Sequence, residues 1–395
     1  MKYIQTKKFN EVNISVRCLF DLKKETITTF HVLLIMMKAK TEKYPNKQAL
    51  SNVLSDTYGM RSFYGLNGYG KQLMLEHRFQ YIHSSWINED WYLPHVVDIM
   101  DQLLFHTTFD QESFEEAKYL LKTRLMRMED DPDSLAIKTA FSLIEDSSIS
   151  INVGGELADI DAITMEDVKN LYTEYLSKER YVFVCGDVEE EVLSYVKNID
   201  CGKEIQIDFQ TINTEKIYKK EVEKDISQTS LSQVYQTGVS VNTPDYYPLL
   251  VMNSVLGQSP SNLLFKEVRE KNSLCYSISS SLIRFDGALM IHTGTFESAL
   301  EQVQVLIGEL IQRIANKDIS EEDVAISKMD IVDGLISGTD NPSSLIQQQF
   351  LNIVLKRDCD IQGVVEKIQA VTLEDISRIA AQLRLVSTAI IKEAK

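Results

Sequence analysis

At 395 residues the chain exceeds the length at which one hydrophobic core keeps growing, so two or more domains are expected. Apolar residues make up 44% and charged residues 25%, an ordinary globular balance rather than a disordered one. The net charge of −17 argues against a nucleic acid or an anionic membrane as partner; a basic peptide is compatible, although solubility alone accounts for most of such an excess.

Five cysteines (Cys18, Cys185, Cys201, Cys275, Cys359) are scattered without a CxxC pair, so neither a disulfide framework nor a thiolate metal site is indicated. The first ten residues, MKYIQTKKFN, have no apolar core of signal-peptide length. The longest purely apolar run of the first half, residues 32–37, is too short to span a bilayer. The expectation is a soluble, cytoplasmic protein.

In chain order, residues 12–20 alternate as a strand, with Val12, Ile14, Val16, Cys18 and Phe20 on one face. Residues 22–26 read as a turn, 28–40 as a strongly apolar helix, and 48–58 as a helix ended by Gly59. Residues 61–70, RSFYGLNGYG, are extended and glycine-interrupted, and 72–83 continue as strand. Helices follow over 91–104, 110–128 (with Asp110 as N-cap) and 134–143, then a strand over 181–185 closed by Gly186 and Asp187.

The second half repeats this plan. DAITMEDVKNL at 161–171 aligns with QAVTLEDISRI at 369–379, an offset of 208 residues (372 − 164). Thr164 and Thr372 each sit where an N-cap belongs, with Asp167 and Asp375 at N3, a capping-box spacing. Each helix leads to a strand, 181–185 or 387–391, and HVLLIMM at His31 echoes YPLLVMN at Tyr247. A period near half the chain means duplication into two α+β lobes. The expected division is 1–200, a charged linker at 201–230, and 231–395.

Within the second lobe, Leu263, Leu264, Glu267 and Val268 space like one face of a short helix, broken by Lys271-Asn272-Ser273. Beyond the break, Leu274, Tyr276, Ile278 and Ser280 share one strand face, with Cys275, Ser277 and Ser279 on the other. A helix-turn-strand would bring the Arg269 guanidinium and the Tyr276 phenol together, two donors able to address one carbonyl oxygen. Spacing alone favours the plainer reading, a surface Arg and a half-buried Tyr. Gly257 with Pro260 reads as a structural turn.

The segment LFKEVREKNSLCYSIS resembles a motif in the C-terminal half of pitrilysin/insulinase-type zinc metallopeptidases, the family that includes mitochondrial processing peptidase. The resemblance runs over nearly the whole chain. It implies two homologous lobes, each an antiparallel sheet faced by helices, closing like a clamshell on a peptide. It also implies that Arg269 and Tyr276 are the pair that assists a zinc site supplied by an N-terminal lobe or by another subunit.

Active members of that family carry HxxEH on a helix, two imidazoles holding zinc and a Glu activating its water. Thr41-Glu42-Lys43-Tyr44-Pro45 resembles the segment that follows this motif, which places the five positions at His31-Val32-Leu33-Leu34-Ile35. His31 matches the first ligand; Leu34 replaces the base and Ile35 the second ligand. Thr123 falls at the third ligand and Glu116 at a helper Glu. One imidazole cannot hold zinc, which needs about three protein ligands and a water. No other histidine forms an HxxxH pair.

The resemblance therefore implies a chain inactive alone, with no metal or cofactor of its own, similar to the non-catalytic subunit of two-chain bacterial members. Zinc is expected in a homologous partner subunit with intact HxxEH, a homodimer being possible in isolation. The substrate is expected to be a peptide, with peptide maturation one setting for such pairs. It is expected to pair by β-augmentation with the extended segment Arg61, Ser62, Phe63, Tyr64, Gly65 and Leu66; Gly65 and Gly68 would admit a second backbone. A plain surface hairpin fits that segment equally. The alternative reading of the chain is a peptide-binding scaffold with no catalytic partner. No GxSxG, P-loop or dinucleotide fingerprint is present.

Overall fold

The first sheet is organised by a strand whose alternate side chains are all apolar. In the computed structural model, which describes residues 1–226, 228–357 and 359–394, β1 (Lys2–Gln5) precedes this strand, β2 (Glu11–Asp21). Val12, Ile14, Val16, Cys18 and Phe20 are at most 4% exposed and share one face, as their spacing predicts. Next come α1 (Lys24–Met37), α2 (Lys47–Asp56) and the hairpin of β3 (Arg61–Tyr69) with β4 (Gln72–Ile82). The first half continues through α3 (Tyr92–Phe105), α4 (Gln111–Asp130), α5 (Pro132–Ser142), α6 (Met165–Ser177), β5 (Tyr181–Gly186) and α7 (Glu190–Ile199).

The second half contains β6 (Tyr218–Lys224), β7 (Thr229–Gln236), α8 (Tyr246–Asn253), β8 (Cys275–Ile283) and β9 (Ala288–Thr295). It ends with α9 (Leu300–Ala315), α10 (Glu321–Gly338), α11 (Pro342–Val354), α12 (Ile361–Ala370), α13 (Leu373–Gln382) and β10 (Arg384–Glu393). Between α8 and β8 lie two π-helical stretches, Ser254–Gln258 and Phe265–Lys271.

The duplication read from the sequence is reproduced strand for strand. One sheet runs β1-β5-β2-β4-β3 and the other β6-β10-β7-β9-β8. Both are mixed rather than purely antiparallel, because β1 runs parallel to β5 and β6 parallel to β10. The repeated capping boxes are present: Asp167 N donates to Thr164 Oγ1 and Asp375 N to Thr372 Oγ1, each at 3.2 Å.

Two compact units result, and each borrows a segment from the other half of the sequence. Unit 1 comprises Met1–Met126, Val153–Ile207 and Thr339–Arg357; unit 2 comprises Arg127–Asn152, Asp208–Gly338 and Asp358–Lys395. In unit 1, α1, α4 and α6 cover one end of the apolar sheet face around Cys18, Phe20 and Leu75. Helices α3 and α7 cover the other end around Ile14, Phe79 and Val184. The opposite face of this sheet is polar and receives α11, which packs on β5, β1 and β2. In unit 2, α5 lies on β7 and β10, with Ala140 against Val234, Val386 and Ala389.

This exchange of α5 and α11 differs from the expected division at 1–200 and 231–395. The span 201–230 expected as linker also contains β6 and the start of β7. β6 reads YKKEVEK and is mostly exposed at a sheet edge, so it lacks the apolar alternation that marks a strand. Helix α1 starts inside the expected turn, at Lys24. Among the described residues no helix is long and apolar enough to cross a membrane.

Candidate functional site

Arg269 and Tyr276 are brought together in unit 2. Leu263, Leu264 and Val268 are at most 4% exposed and anchor the segment before the break. That segment is π-helical from Phe265 to Lys271, not α-helical, a geometry frequent at functional sites. Asn272 Nδ2 donates to Glu267 O at 2.7 Å, Ser273 adopts φ +53°, and Leu274 N donates to Val268 O at 3.0 Å. These bonds turn the chain sharply into β8. Glu267, held by Lys271 (2.9 Å) and Arg313 (3.0 Å), has its carboxyl pulled below the usual range, chiefly by the Lys271 hydrogen bond.

The strand face predicted for Tyr276 is corrected by a β-bulge. Cys275 pairs with Thr295 and Ser277 with Gly294, so Tyr276 is the extra residue between them. Cys275, Ile278 and Ser280 are buried while Tyr276 is 80% exposed. The Arg269 guanidinium carbon lies 5.5 Å from the Tyr276 ring centroid and 4.6 Å from that of Phe265. Phe265, one helical turn before Arg269, is the positioning residue that the sequence reading missed; its four-residue spacing was the available signal.

The stretch is braced from beneath. Ser280 Oγ donates to Asn253 Oδ1 at 2.7 Å, and Asn253 is fully buried. A Cβ at Gly257 would fall 2.7 Å from Ser280 N and 2.8 Å from Leu264 Cδ1, so only glycine lets the first π-helical stretch lie against β8. Gly257 was read as part of a turn; its smallness serves packing.

The extended segment Arg61, Ser62, Phe63, Tyr64, Gly65 and Leu66 forms most of β3, at the edge of the first sheet. Its residues divide by face: Ser62, Tyr64 and Leu66 pair with Phe79, His77 and Leu75, while Arg61, Phe63 and Gly65 pair with Gln80, Arg78 and Glu76. His77 is fully buried, its ring 3.7 Å from Tyr64 and its Nε2 2.7 Å from Ser62 Oγ. Burial drives its pKa well below the usual imidazole value. A Cβ on Gly65 would approach only Asn67 Nδ2, at 3.5 Å, whereas Gly68 packs against Val153.

The residues at the HxxEH positions do not fit a zinc ion. His31 Nε2 is 2.8 Å from Val153 O, and burial lowers its pKa to about 4, leaving a neutral ring hydrogen-bonded to backbone. Leu34 and Ile35 offer no ligand atom. Glu116 Oε1 pairs with Lys47 Nζ at 2.6 Å, and Thr123 Oγ1 donates to Tyr119 O at 2.9 Å. Among the described residues no group of three or more His, Cys, Asp or Glu is placed to hold a metal.

A duplicated α+β chain whose HxxEH positions keep only His31 of the expected set defines the class: a metallopeptidase-like protein. The profile of the "Peptidase M16 inactive domain" matches residues 162–330. The "Probable inactive metalloprotease YmfF" of Bacillus subtilis is 26% identical over 98% of this chain and 94% of its own. A conserved protein from Enterococcus faecalis superposes with a TM-score of 0.91 at 25% identity, covering 99% of this chain and 96% of that one. A structure titled peptidase M16 inactive domain from Pseudomonas fluorescens shares the fold, with a TM-score of 0.81 at 14% identity over 100% of this chain and 95% of its own. The chain is thus similar to M16 peptidases, and to inactive ones among them.

Proposed function

We propose that this chain is the non-catalytic subunit of a two-chain zinc peptidase. It supplies Arg269 and Tyr276 to a homologous partner's zinc site and contributes half of the substrate chamber, with the edge of β3 pairing to the peptide. The observation that carries this reading is the Arg269–Tyr276 pair itself: the guanidinium carbon lies 5.5 Å from the centroid of the Tyr276 ring, and Tyr276, on its bulge, is 80% exposed. A side chain so exposed adds little to folding, and it is placed where a second surface can reach it. In a partner's zinc site the phenol and guanidinium would stabilise the oxyanion that forms on the scissile carbonyl. The setting is expected to be peptide maturation or turnover in the cytoplasm.

The test mixes this chain with a homologous chain bearing intact HxxEH and follows cleavage of a peptide library, with and without chelator. Cleavage by the mixture but by neither chain alone is expected, and it should fall sharply with Tyr276→Phe. Equal cleavage by the mutant mixture ends the proposal for Tyr276. The second reading, a peptide-binding scaffold, rests on the open edge of β3 and is favoured if peptide binds but no partner confers cleavage.

A further inference from the structure

A small pocket on the polar face of the first sheet has a ligand chemistry that the Arg269–Tyr276 reading does not use. Its volume is about 160 Å³, and it is lined by Asn13, Phe63, Arg78, Gln80 and Ser343, with Phe79 at its base. All belong to unit 1. The strand register puts Asn13, Phe63, Arg78 and Gln80 on one face, since Asn13 pairs with Gln80 and Phe63 with Arg78. Ser343, the second residue of α11, closes one side.

The donors here outnumber the acceptors. Asn13 is 7% exposed and its Nδ2 has no hydrogen-bond partner. A buried amide N–H without an acceptor is costly, so one bordering a pocket marks where an acceptor belongs. The Arg78 guanidinium leans on the Phe63 ring at 5.7 Å and meets Glu76 through Nε at 3.6 Å, a long ion pair. The Arg78 side chain lines the pocket. The two carboxylates nearby are already engaged: Glu76 takes Arg17 at 2.9 Å, and Glu11 accepts from Gln80 Nε2. Asn341 Oδ1 already caps the amides of Ser343 and Ser344, so α11 offers the Ser343 hydroxyl and the positive end of its dipole.

We propose that this pocket binds a carboxylate. Arg78 presents a planar fork that matches two carboxylate oxygens, while Asn13 Nδ2 and the Ser343 hydroxyl donate from the sides. An ammonium would meet the same donors and the Arg78 charge, and is disfavoured. The volume is that of about five liquid waters at ~30 Å³ each, enough for a carboxylate on a short aliphatic stem. The carboxylate comes either from a small free acid or from an acidic side chain of a peptide lying along β3. The second source rests on the edge-strand reading above: a strand added to β3 turns every second side chain to the face that carries Phe63.

Isothermal titration of the full chain with the α-amides of N-acetylglutamate and N-acetylglutamine, which differ only in the side-chain carboxylate, tests the pocket by itself. Two blocked extended peptides that differ only in a central Glu or Gln test it together with the edge. The acidic member of at least one pair should bind tenfold or more tightly, and Arg78→Gln should abolish that preference without lowering the melting temperature. Arg78→Lys, which keeps the charge but not the fork, should retain only part of it. If the peptides bind with no preference and the free acid does not bind, the carboxylate site is wrong while the edge reading survives. If the α-amide of N-acetylglutamate binds in preference to its glutamine counterpart and neither peptide binds, the site stands and the edge reading fails. No preference in either pair, or a preference that Arg78→Gln leaves intact, overturns the inference.

Discussion

The guanidinium carbon of Arg17 lies 4.3 Å from the ring centroid of Phe350, joining a strand near the start of the chain to α11 near its end. Arg17 is 1% exposed, its ring contacts include Phe183 at 4.9 Å, and its charge is met by Glu76 at 2.9 Å. Its Nη2 also donates to Gln347 Oε1 on α11 at 3.1 Å. A buried cation is tolerated only while its partner remains. Glu76→Gln is therefore expected to cost about 3–5 kcal/mol, the usual loss when one member of a buried pair is removed. Phe350→Ala should cost a similar amount, about 3–5 kcal/mol, through the cavity it leaves. Urea unfolding measures both, and limited proteolysis should cut within residues 339–357 first in the Phe350 variant. A loss under 1 kcal/mol in both would show that α11 is not held this way.

That contact also marks where the sequence stopped being legible. The alternation of β2 announced its apolar face, and Thr164 with Asp167, matched by Thr372 with Asp375, announced the duplication, because both signals are local. Arg17 lies on the opposite face, and nothing nearby in the sequence shows that a helix some 330 residues later reaches it. The bulge at Tyr276 was hidden for a related reason: its neighbours alternate as a regular strand, and only pairing to β9 makes one residue supernumerary. The polar β6 gave no strand period at all. The Arg269–Tyr276 pair was singled out by family resemblance, spacing alone favouring a surface Arg and a half-buried Tyr, while the roles of Phe265, Gly257 and Asn253 beneath it needed the packing.

Gly257 and Gly294 are both crowded, yet their substitutions should differ. At Gly257 an added Cβ would fall 2.5 Å from Ser280 Oγ and 2.7 Å from Ser280 N, and a backbone atom cannot step aside. Gly257→Ala should cost about 1–3 kcal/mol, typical of overpacking. At Gly294 the obstruction is the Gln228 side chain, which can rotate away, so Gly294→Ala should stay within about 0.5 kcal/mol. Thermal denaturation of the two variants decides this, and equal losses would contradict the distinction.

Acid should destabilise the fold well above the pH at which carboxylates protonate. Burial lowers His31 to about 4 and His77 well below the usual imidazole value. Below pH ~6.5 the unfolded chain binds protons at both rings while the folded chain does not, so stability falls as pH falls. For His31 the loss runs from pH ~6.5 to about 4, and a shift of this size corresponds to about 3 kcal/mol at the acid end. Carboxylates held down by partners, such as Asp245 beside Arg378, add their loss only at lower pH. Urea unfolding at pH 7.5, 6 and 5 should show the decline, and His31→Gln should flatten part of it. Constant stability across that range would mean that neither ring is shielded as the structure places it.

Tyr276 and Arg269 should separate stability from function. The phenol is 80% exposed and the bulge is fixed by the pairing of Cys275 and Ser277 with β9, not by the ring. Tyr276→Phe and Arg269→Lys are each expected to change unfolding free energy by less than about 0.5 kcal/mol, as for surface substitutions generally. In the presence of a partner bearing HxxEH, loss of one preorganised donor to the oxyanion should cost about 2.7–4 kcal/mol of transition-state stabilisation, a fall of about 10²–10³ in kcat with KM little changed. Arg269→Lys keeps the charge but loses the planar fork stacked between Phe265 and Tyr276, so a smaller loss is expected. If either variant instead unfolds readily while the mixture's remaining activity per folded molecule is unchanged, the pair is a structural clasp on the bulge and the catalytic assignment falls.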